Sequence, residues 1–458
     1  MGLRPIIFLS VEPINYQHFK VNKMKNIASN LPLDKLKIFS LDSVQMRTFH
    51  TTWLTFFACF FGWFGLAPLM PTIREDLGLT KAQVGNIIIA SVSATIIARL
   101  FIGRLCDTWG PRKTYTALLV GCSIPVFLVG LANSYETFLL FRLAIGVIGA
   151  SFVITQYHTS MMFAPNIKGT ANAVAGGWGN LGGGVTNIVM PLIFAGIIGL
   201  GYSKHDAWRL AMVVPGTLLL ICAFLYYRFT KDTPAGNYED IDRVMAAKDK
   251  PNWKEVVTDW RVWALAFAYS ICFGMEITFD NVAALYFVDY FHVDLKMAGL
   301  LAGAFGLMNI FARALGGIVA DKIGKKRGLS GKGWLLAILI AIEGLGLMLF
   351  SGATVLWVAN AWMLVFALFL KMANGATYAL TPFINQKNVG IVAGIVGAGG
   401  NIGGMLMGFL FKNPNLGYGT AFFYIGCAAL VAALVIGVTK FGRETETQIV
   451  VKPVEALA

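Results

Sequence analysis

Two arginines, Arg99 and Arg313, lie inside long apolar stretches of the sequence. A charged side chain at the centre of a membrane helix costs at least about 2.5 kcal/mol on insertion scales, so each arginine should face a cavity or a partner. No acidic residue lies within one helical turn of either arginine along the chain. Because a flat guanidinium presents two parallel N–H donors, this uncompensated pair predicts a binding site for a small planar oxyanion.

Two asparagines stand in matching glycine-rich stretches, GNLGG around Asn180 and GNIGG around Asn401. In a dry site an amide can donate to a bound anion, or it can bond a neighbouring helix. From the residues alone, both interpretations remain open for each asparagine.

The first of these stretches also contains the letter pattern of a dinucleotide-binding loop, G-x-G-x-x-G, at Gly177, Gly179 and Gly182. Such a loop needs a preceding strand, a βαβ unit and an acidic residue about 20 positions further on. Here the pattern lies inside an apolar stretch, and the next acidic residue is Asp206. We therefore expect a protein that is not an enzyme and that uses no cofactor.

The composition places these residues in a membrane. Of the 458 residues, 57% are apolar and 13% are charged, and the mean hydropathy is +0.66, outside the usual range of a soluble domain. Apolar runs of about 20 residues or more, long enough to cross a bilayer, occur twelve times. These predicted spans 1 to 12 cover residues 52–71, 84–103, 114–133, 137–162, 169–198, 207–228, 260–290, 297–320, 333–352, 354–381, 389–411 and 418–440.

The net charge of +13 is concentrated in the loops that follow spans 2, 6 and 8, where Arg112, Lys250 and Lys326 are examples. By the positive-inside rule, we expect these loops and both termini in the cytoplasm and the chain in the cytoplasmic membrane. The charge therefore does not indicate a nucleic-acid partner. We expect a monomer surrounded by bilayer lipid.

A polar linker divides the twelve spans into two groups of six. We predict a cytoplasmic tail at 1–50, a six-helix bundle at 51–228, a central cytoplasmic linker at 229–259, a second bundle at 260–440 and a cytoplasmic tail at 441–458. The six cysteines lie within or at the ends of apolar runs, and the five histidines show no metal spacing. We expect neither disulfides nor a metal site.

Two internal repeats relate the groups of spans. At an offset of 214 residues, Arg99 aligns with Arg313 and Asp107 aligns with Asp321. At an offset of 221 residues, Asn180 aligns with Asn401. The first repeat maps span 2 onto span 8 and the second maps span 5 onto span 11, which indicates a duplicated six-helix unit.

Several motifs resemble those of a known superfamily. The loop after span 2, GRLCDTWGPRK at 103–113, resembles the loop motif of the major facilitator superfamily, and Arg142-x3-Gly146 resembles its span-4 motif. Within that superfamily, GGWGNLGGGVTNIVMP at 176–191 and GIVGAGGNIGGMLMG at 394–408 are similar to the two signatures of the nitrate/nitrite porter family. Span 8 is similar to that family over 309–317, and the likeness covers essentially all twelve spans.

The resemblance implies an all-α integral membrane protein of the major facilitator fold, with twelve transmembrane helices in two pseudo-symmetric six-helix bundles. It implies an alternating-access transporter that binds nitrate, and also nitrite, between Arg99 and Arg313, with Asn180 and Asn401 beside the substrate. In the family, aromatic residues form the wall of the site. The corresponding residues here are Tyr269, Phe273 and Phe152, for which ordinary core packing is the alternative.

In the superfamily, the carboxylate of the loop motif and a neighbouring arginine hold helix ends together at the cytoplasmic face and gate conformational change. A solvated charge cluster is the alternative. The resemblance carries the gating role to Asp107 with Gly103, Gly110 and Arg112, and to Asp321 with its neighbours Lys325 and Lys326.

Glycines four residues apart form small-residue faces on two spans, Gly179 with Gly183 on span 5 and Gly400 with Gly404 on span 11. Small residues let helices approach closely in lipid. We therefore expect spans 5 and 11 to be closely packed against helices of the opposite half, where alternating access must change the contacts. Static tight packing is the alternative.

Titratable residues inside the spans are candidates for proton coupling. Glu343 and Lys371 lie on consecutive spans and form a candidate ion pair, and the stretch GMEITFDN at 274–281 resembles span 7 of nitrate-assimilating members, which favours proton-coupled nitrate uptake. Nitrate/nitrite exchange and carriage of another small anion are the alternatives. The acids and the histidine proposed for proton coupling are Glu276, Asp280, His158 and Glu343.

Overall fold

The computed structural model describes residues 31–239, 253–385 and 388–442. Within these ranges, eleven helical stretches are long and apolar enough to cross a bilayer. One of them, Leu295–Ser351, has 57 residues, which is about 85 Å at about 1.5 Å per residue and more than twice the thickness of a bilayer core. Gly328 interrupts this stretch with φ 63° and ψ −164°. It therefore makes two crossings, and the described chain crosses twelve times, as the apolar runs predict.

Spans 1 to 6 form the N-terminal half. Several begin at polar capping residues, such as Thr80 before span 2 and Ser134 before span 4, whose side chains accept the first free backbone N–H groups. The helices of this half are Val44–Phe64 with Met70–Asp76 (span 1), Lys81–Trp109 (span 2), Pro111–Leu128 (span 3), Tyr135–Ile145 with Ser151–Met162 (span 4), Pro165–Gly199 (span 5) and Lys204–Ala211 with Val213–Phe229 (span 6).

Spans 7 to 12 form the C-terminal half and repeat the order of the first six. The short helix Trp253–Val257 precedes them in the linker. The helices are Trp260–Phe291 (span 7), Leu295–Leu307 with the part of Ala312–Ser351 before Gly328 (span 8), the rest of Ala312–Ser351 (span 9), Leu356–Leu380 (span 10), Val389–Lys412 (span 11) and Tyr418–Val438 (span 12).

The first helix begins at Val44, inside the stretch 1–50 that the sequence pattern predicts as a tail. The residues just before it contact the ends of spans 4 and 5. The backbone N–H of Leu33 donates to the carbonyl of Met162 at 3.0 Å, and the N–H of Ala164 donates to the carbonyl of Leu33 at 2.8 Å. The rest of the predicted tails and part of the linker, at 1–30, 240–252 and 443–458, lie outside the described residues.

The two halves meet along spans 2 and 11 and along spans 5 and 8. The side on which spans 2, 6 and 8 end is named the basic-loop side, and the other is the opposite side. Towards the opposite side, the backbones of spans 5 and 8 are in contact. A Cβ added at Gly184 would lie 2.6 Å from the Cα of Gly306. At the basic-loop side, a Cβ added at Gly169 or Gly394 would meet no described atom within 4 Å. The halves are therefore closed against each other on the opposite side.

Candidate functional site

Arg99 of span 2 reaches from the N-terminal half to span 11 of the C-terminal half. Its Nη1 donates to the carbonyl of Gly397 at 2.8 Å, and its Nη2 donates to the carbonyl of Gly149 at 3.3 Å. Its Cζ lies 5.3 Å from the centroid of the Phe152 ring. Its Nε has no hydrogen-bond partner among the described residues. The guanidinium is thus held by neutral acceptors, and its Nε–H is free to donate to another acceptor.

Arg313 of span 8 occupies the corresponding place in the C-terminal half, just after a short 3-10 turn. It is 3% exposed, and its Nη2 donates to the hydroxyl of Tyr269 at 3.3 Å. Its Cζ lies 5.8 Å from the centroid of the Phe273 ring. Each arginine therefore lies against one aromatic ring, as expected for a weakly hydrated planar cation.

Four aromatic rings connect the two arginines. The Phe152 and Phe273 centroids are 6.5 Å apart, and the rings of Tyr269 and Phe273 stack at 5.0 Å. Tyr378 of span 10 closes the cluster, with its ring 5.7 Å from Phe152 and 5.1 Å from Tyr269. The structure brings the three predicted aromatic residues together and adds Tyr378, which the sequence motifs do not mark.

The two signature asparagines lie beside the arginines in a crossed arrangement. The amide oxygen of Asn180, on span 5, accepts from Nη1 of Arg313 in the opposite half, since a guanidinium can only donate. Asn401, on span 11, donates through Nδ2 to the carbonyl of Gly397 at 3.2 Å, the same carbonyl that accepts from Arg99. The Oδ1 of Asn401 has no hydrogen-bond partner among the described residues.

Arg313 is not an uncompensated cation, and the sequence-based expectation is wrong on this point. The Oε2 of Glu276, on span 7, lies 3.7 Å from its Nη2. Glu276 also accepts from Lys371 Nζ at 3.0 Å, Asn309 Nδ2 at 2.8 Å and Asn374 Nδ2 at 2.6 Å. The sequence marks Glu276 as a candidate for proton coupling but does not pair it with Arg313, because the two residues are distant along the chain. Packing of spans 7, 8 and 10 brings them together.

The candidate ion pair between Glu343 and Lys371 is also wrong, because Lys371 pairs with Glu276. Neither carboxylate oxygen of Glu343 has a hydrogen-bond partner of normal geometry among the described residues. The same is true of Oδ1 of Asp280.

Three residues of span 10 form one face of that helix near the site, because Lys371, Asn374 and Tyr378 lie three and four residues apart along the chain. That helical spacing is the sequence signal by which this face of span 10 could have been found.

His158, the fourth proton-coupling candidate, lies apart from this cluster. Its Nδ1 contacts the hydroxyl of Tyr226 at 2.5 Å, and its Nε2 contacts the carbonyl of Lys231 at 2.6 Å. Both partners belong to the end of span 6 and the residues after it. The structure thus places Glu276 beside an arginine of the candidate site and His158 at the basic-loop end of span 4.

Spans 5 and 11 pack against spans 8 and 2 of the opposite half, as expected, but most of the glycines of the two small-residue faces contact their own half. A Cβ at Gly179 would collide with the ring of Phe56 in its own half, and one at Gly400 would lie 2.7 Å from Phe273 in its own half. Gly404 likewise meets Ile277 of its own half. Of these four glycines, Gly183 alone faces the opposite half, with Asp280 Oδ2 at 3.0 Å from its Cβ position. Glycines cover several faces of each helix, so spacing alone does not select the partner.

Asp107 and Asp321, the two carboxylates for which a gating role is predicted, have partners other than the predicted basic neighbours. Asp107 accepts from the hydroxyl of Tyr157 at 3.0 Å, and Asp321 accepts from Lys332 Nζ at 2.9 Å. In both cases the partner lies on a different span. A contact between spans replaces the local pair that sequence proximity suggested, because a helix end directs its side chains toward neighbouring helices.

An acid that the sequence motifs do not mark completes the loop after span 2. Asp232 accepts from the backbone N–H of Arg112 at 2.8 Å and of Tyr238 at 3.1 Å. Gly110, with φ +83°, leaves room for this carboxylate, since a Cβ there would lie 2.5 Å from its Oδ1. Burial raises the pKa of the Asp232 carboxyl above its usual range, although these backbone N–H groups act in the opposite direction. Gly110, Arg112 and Asp232 thus join the loop to the linker.

Comparison with known proteins agrees with this architecture. A family model described as "Major Facilitator Superfamily" matches residues 52–406. Among solved structures, an inward-facing, unoccupied bacterial homologue of the human lysosomal transporter Spinster is similar with a TM-score of 0.63 and 15% sequence identity, covering 87% of this chain and 95% of that chain. At this identity the likeness shows the fold alone.

Curated relatives share sequence over most of their length. "High affinity nitrate transporter 2.5" of Arabidopsis thaliana is 39% identical over 379 residues, which are 82% of this chain and 75% of the relative. "Nitrate transporter 2.2" of Chlamydomonas reinhardtii is 39% identical over 78% of this chain and 71% of the relative. "Nitrate/nitrite transporter NrtP" of Nostoc punctiforme is 27% identical over 87% of this chain and 92% of the relative. The chain is a multi-pass membrane transporter and not an enzyme, and it belongs to the nitrate/nitrite porter family of the major facilitator superfamily.

Proposed function

We propose that this protein transports nitrate, and also nitrite, with the anion bound between Arg99 and Arg313. The observation that carries the proposal is the placement of two guanidiniums from equivalent spans against one shared cluster of aromatic rings. The relatives named as nitrate transporters support the choice of anion. A planar oxyanion fits such a site, because each guanidinium can offer it parallel N–H donors while the rings exclude water.

The present partners of the arginines can be exchanged for an anion. Arg99 donates to backbone carbonyls and Arg313 donates to a tyrosine hydroxyl and an amide, all of them neutral acceptors. The charged neighbour of Arg313, Glu276, lies 3.7 Å from its Nη2, beyond hydrogen-bond distance. A hydrogen bond to a charged acceptor is roughly twice as strong as one to a neutral acceptor. An entering nitrate would therefore displace them, with Asn180 and Asn401 available beside it.

The contacts between the halves support alternating access. Arg99 joins span 2 to span 11, and Asn180 joins span 5 to Arg313 of span 8. Each arginine thus contacts the half to which it does not belong. An anion bound to both guanidiniums would be held by both halves, so that its binding and release would accompany the rocking of one half against the other.

For coupling, we propose proton-coupled nitrate uptake, with Glu276 as the coupling acid because it is the acid beside Arg313. Nitrate/nitrite exchange is the second candidate. We place the protein in the cytoplasmic membrane as a monomer, with the basic-loop side and both termini in the cytoplasm. A pH jump that leaves nitrate flux in proteoliposomes unchanged would contradict the symport.

The decisive experiment is counterflow of nitrate and nitrite in proteoliposomes. Arg99→Lys and Arg313→Lys each keep the charge but lose the planar pair of donors, and we expect each to lower nitrate counterflow at least about tenfold, as loss of one charged hydrogen bond predicts. Arg209→Lys is the control, because Arg209 pairs with Asp76 inside the N-terminal half. Full activity in both site variants would exclude the paired-arginine site.

A further inference from the structure

Glu276 accepts hydrogen bonds from three donors at the centre of the C-terminal half. The side chain is fully buried, and so are those of Lys371, Asn309 and Asn374 to within 1% exposure. Its Oε1 accepts from Lys371 and Asn309, and its Oε2 accepts from Asn374. An ionised carboxylate in such surroundings is stable only while these donors and a cation stay in place.

The two cations beside Glu276 are not equivalent. Lys371 Nζ lies at hydrogen-bond distance, 3.0 Å from Oε1. Arg313 Nη2 lies 3.7 Å from Oε2, an ionic contact that is too long for a hydrogen bond. The lysine is also fixed in place, with its ammonium 4.2 Å from the centroid of the Phe305 ring. Glu276 is therefore bonded to Lys371 and only approaches Arg313.

We propose that Lys371 is a positioning residue that holds the Glu276 carboxylate away from Arg313 and so keeps this guanidinium available to the transported anion. The inference rests on the proposed function and assigns to span 10 a part in substrate affinity. Without the ammonium, Arg313 is the one cation left within 4 Å of Glu276 among the described residues. A carboxylate and a guanidinium pair readily through two parallel hydrogen bonds.

Removal of Lys371 would then convert Glu276 into a tethered competitor of nitrate. The two amides that hold Glu276 contribute hydrogen bonds but no charge, so they do not replace the ammonium. The carboxylate would move the remaining distance and occupy the donors that the anion needs. Nitrate affinity falls in this case, while the conformational cycle itself is left intact.

The test measures nitrate binding to purified full-length protein by titration calorimetry, together with the KM and maximal rate of uptake in proteoliposomes. We expect Lys371→Met to raise the nitrate Kd and KM at least about tenfold with the maximal rate largely retained. Lys371→Arg, which restores a cation, should stay close to wild type. The double variant Lys371→Met/Glu276→Gln should recover the wild-type Kd, because the competitor is gone.

A matched control is Arg209→Met, which removes another largely buried cation that is paired with an acid, Asp76, inside the N-terminal half. Its nitrate Kd should be unchanged. If Lys371→Met does not fold, the single variant Glu276→Gln tests the role of Lys371 by itself. Its nitrate Kd should be equal to or lower than that of wild type.

The outcomes separate the two proposals. Three results, each with nitrate binding by the wild type, would overturn the role of Lys371 alone. They are an unaffected nitrate Kd in Lys371→Met, a double variant that binds nitrate as weakly as Lys371→Met, and weakened nitrate binding in Glu276→Gln. Absence of nitrate binding by the wild-type protein would overturn the proposed function and this inference with it.

Discussion

The guanidinium of Arg74 and the carboxylate of Asp289 form two parallel hydrogen bonds of 2.7 Å each, which join the end of span 1 to the end of span 7. The hydroxyl of Tyr418 donates to the same carboxylate at 2.9 Å. These residues line a cavity of about 150 Å³ on the opposite side, together with Lys81 and Ile88. The pair links the two halves where they are closed against each other.

Weakening this pair should favour opening of the opposite side. Both side chains are partly exposed, 30% for Arg74 and 22% for Asp289, so Arg74→Gln should shift the equilibrium by about 1 kcal/mol, or about fivefold. The measurement is the labelling rate of Ile88→Cys, a buried residue of the cavity wall, by a membrane-impermeant maleimide. Labelling should be faster in the Arg74→Gln background.

Arg209→Gln provides the matched control for labelling, since Arg209 pairs with Asp76 within one half. It should leave the labelling rate of Ile88→Cys unchanged. An equal acceleration in both backgrounds would mean that the reporter senses loosening of the N-terminal half and not separation of the halves.

Two glycines on span 5 should respond differently to a larger side chain. Gly183 faces Asp280 of the opposite half, whereas Gly179 faces Phe56 of its own half. Gly183→Leu should therefore reduce turnover more than the yield of folded protein, and Gly179→Leu should reduce the yield. Comparison of expression with counterflow per folded molecule tests this. Parallel loss of expression and activity in Gly183→Leu would support static packing.

The loop after span 2 should be sensitive to a methyl group at Gly110. Gly110→Ala adds a Cβ both at positive φ and against the Asp232 carboxylate. Gly201→Ala tests the backbone effect by itself, because Gly201 has φ +95° and no described atom within 4 Å of its Cβ position. We expect a loss of about 1 kcal/mol for Gly201→Ala and about 2 to 4 kcal/mol for Gly110→Ala. Thermal unfolding in detergent measures both, and equal losses would argue against the contact with Asp232.

Asp232 should make stability depend on pH. Burial raises its pKa above the ordinary value of 3.8, so the folded protein binds this proton more tightly than the unfolded chain does. As pH rises from about 4 through the folded pKa, the wild type should lose thermal stability relative to Asp232→Asn. Melting temperatures of the two proteins across this range provide the measurement. If the wild type instead gains stability relative to the variant as pH rises, the backbone N–H donors lower the pKa of Asp232 by more than burial raises it.

The twelve spans and their division into halves follow from the sequence because the bilayer itself imposes them. A helix must present about 20 apolar residues to cross the membrane, and that length is visible in one dimension. The repeats then assign Arg99 and Arg313, and likewise Asn180 and Asn401, to equivalent places in the two halves. These relations need no knowledge of how the helices are rotated.

The partners of these residues were decided only by the tertiary structure. Glu276 meets Arg313 and Lys371, and Asp232 meets the loop at Gly110, across separations that helical periodicity does not address. Spacing along one helix identifies residues that share a face, but the rotation and packing of helices determine which face meets which neighbour. For this reason the sequence located the two arginines, while the structure showed that an acid lies beside one of them and that a lysine holds it.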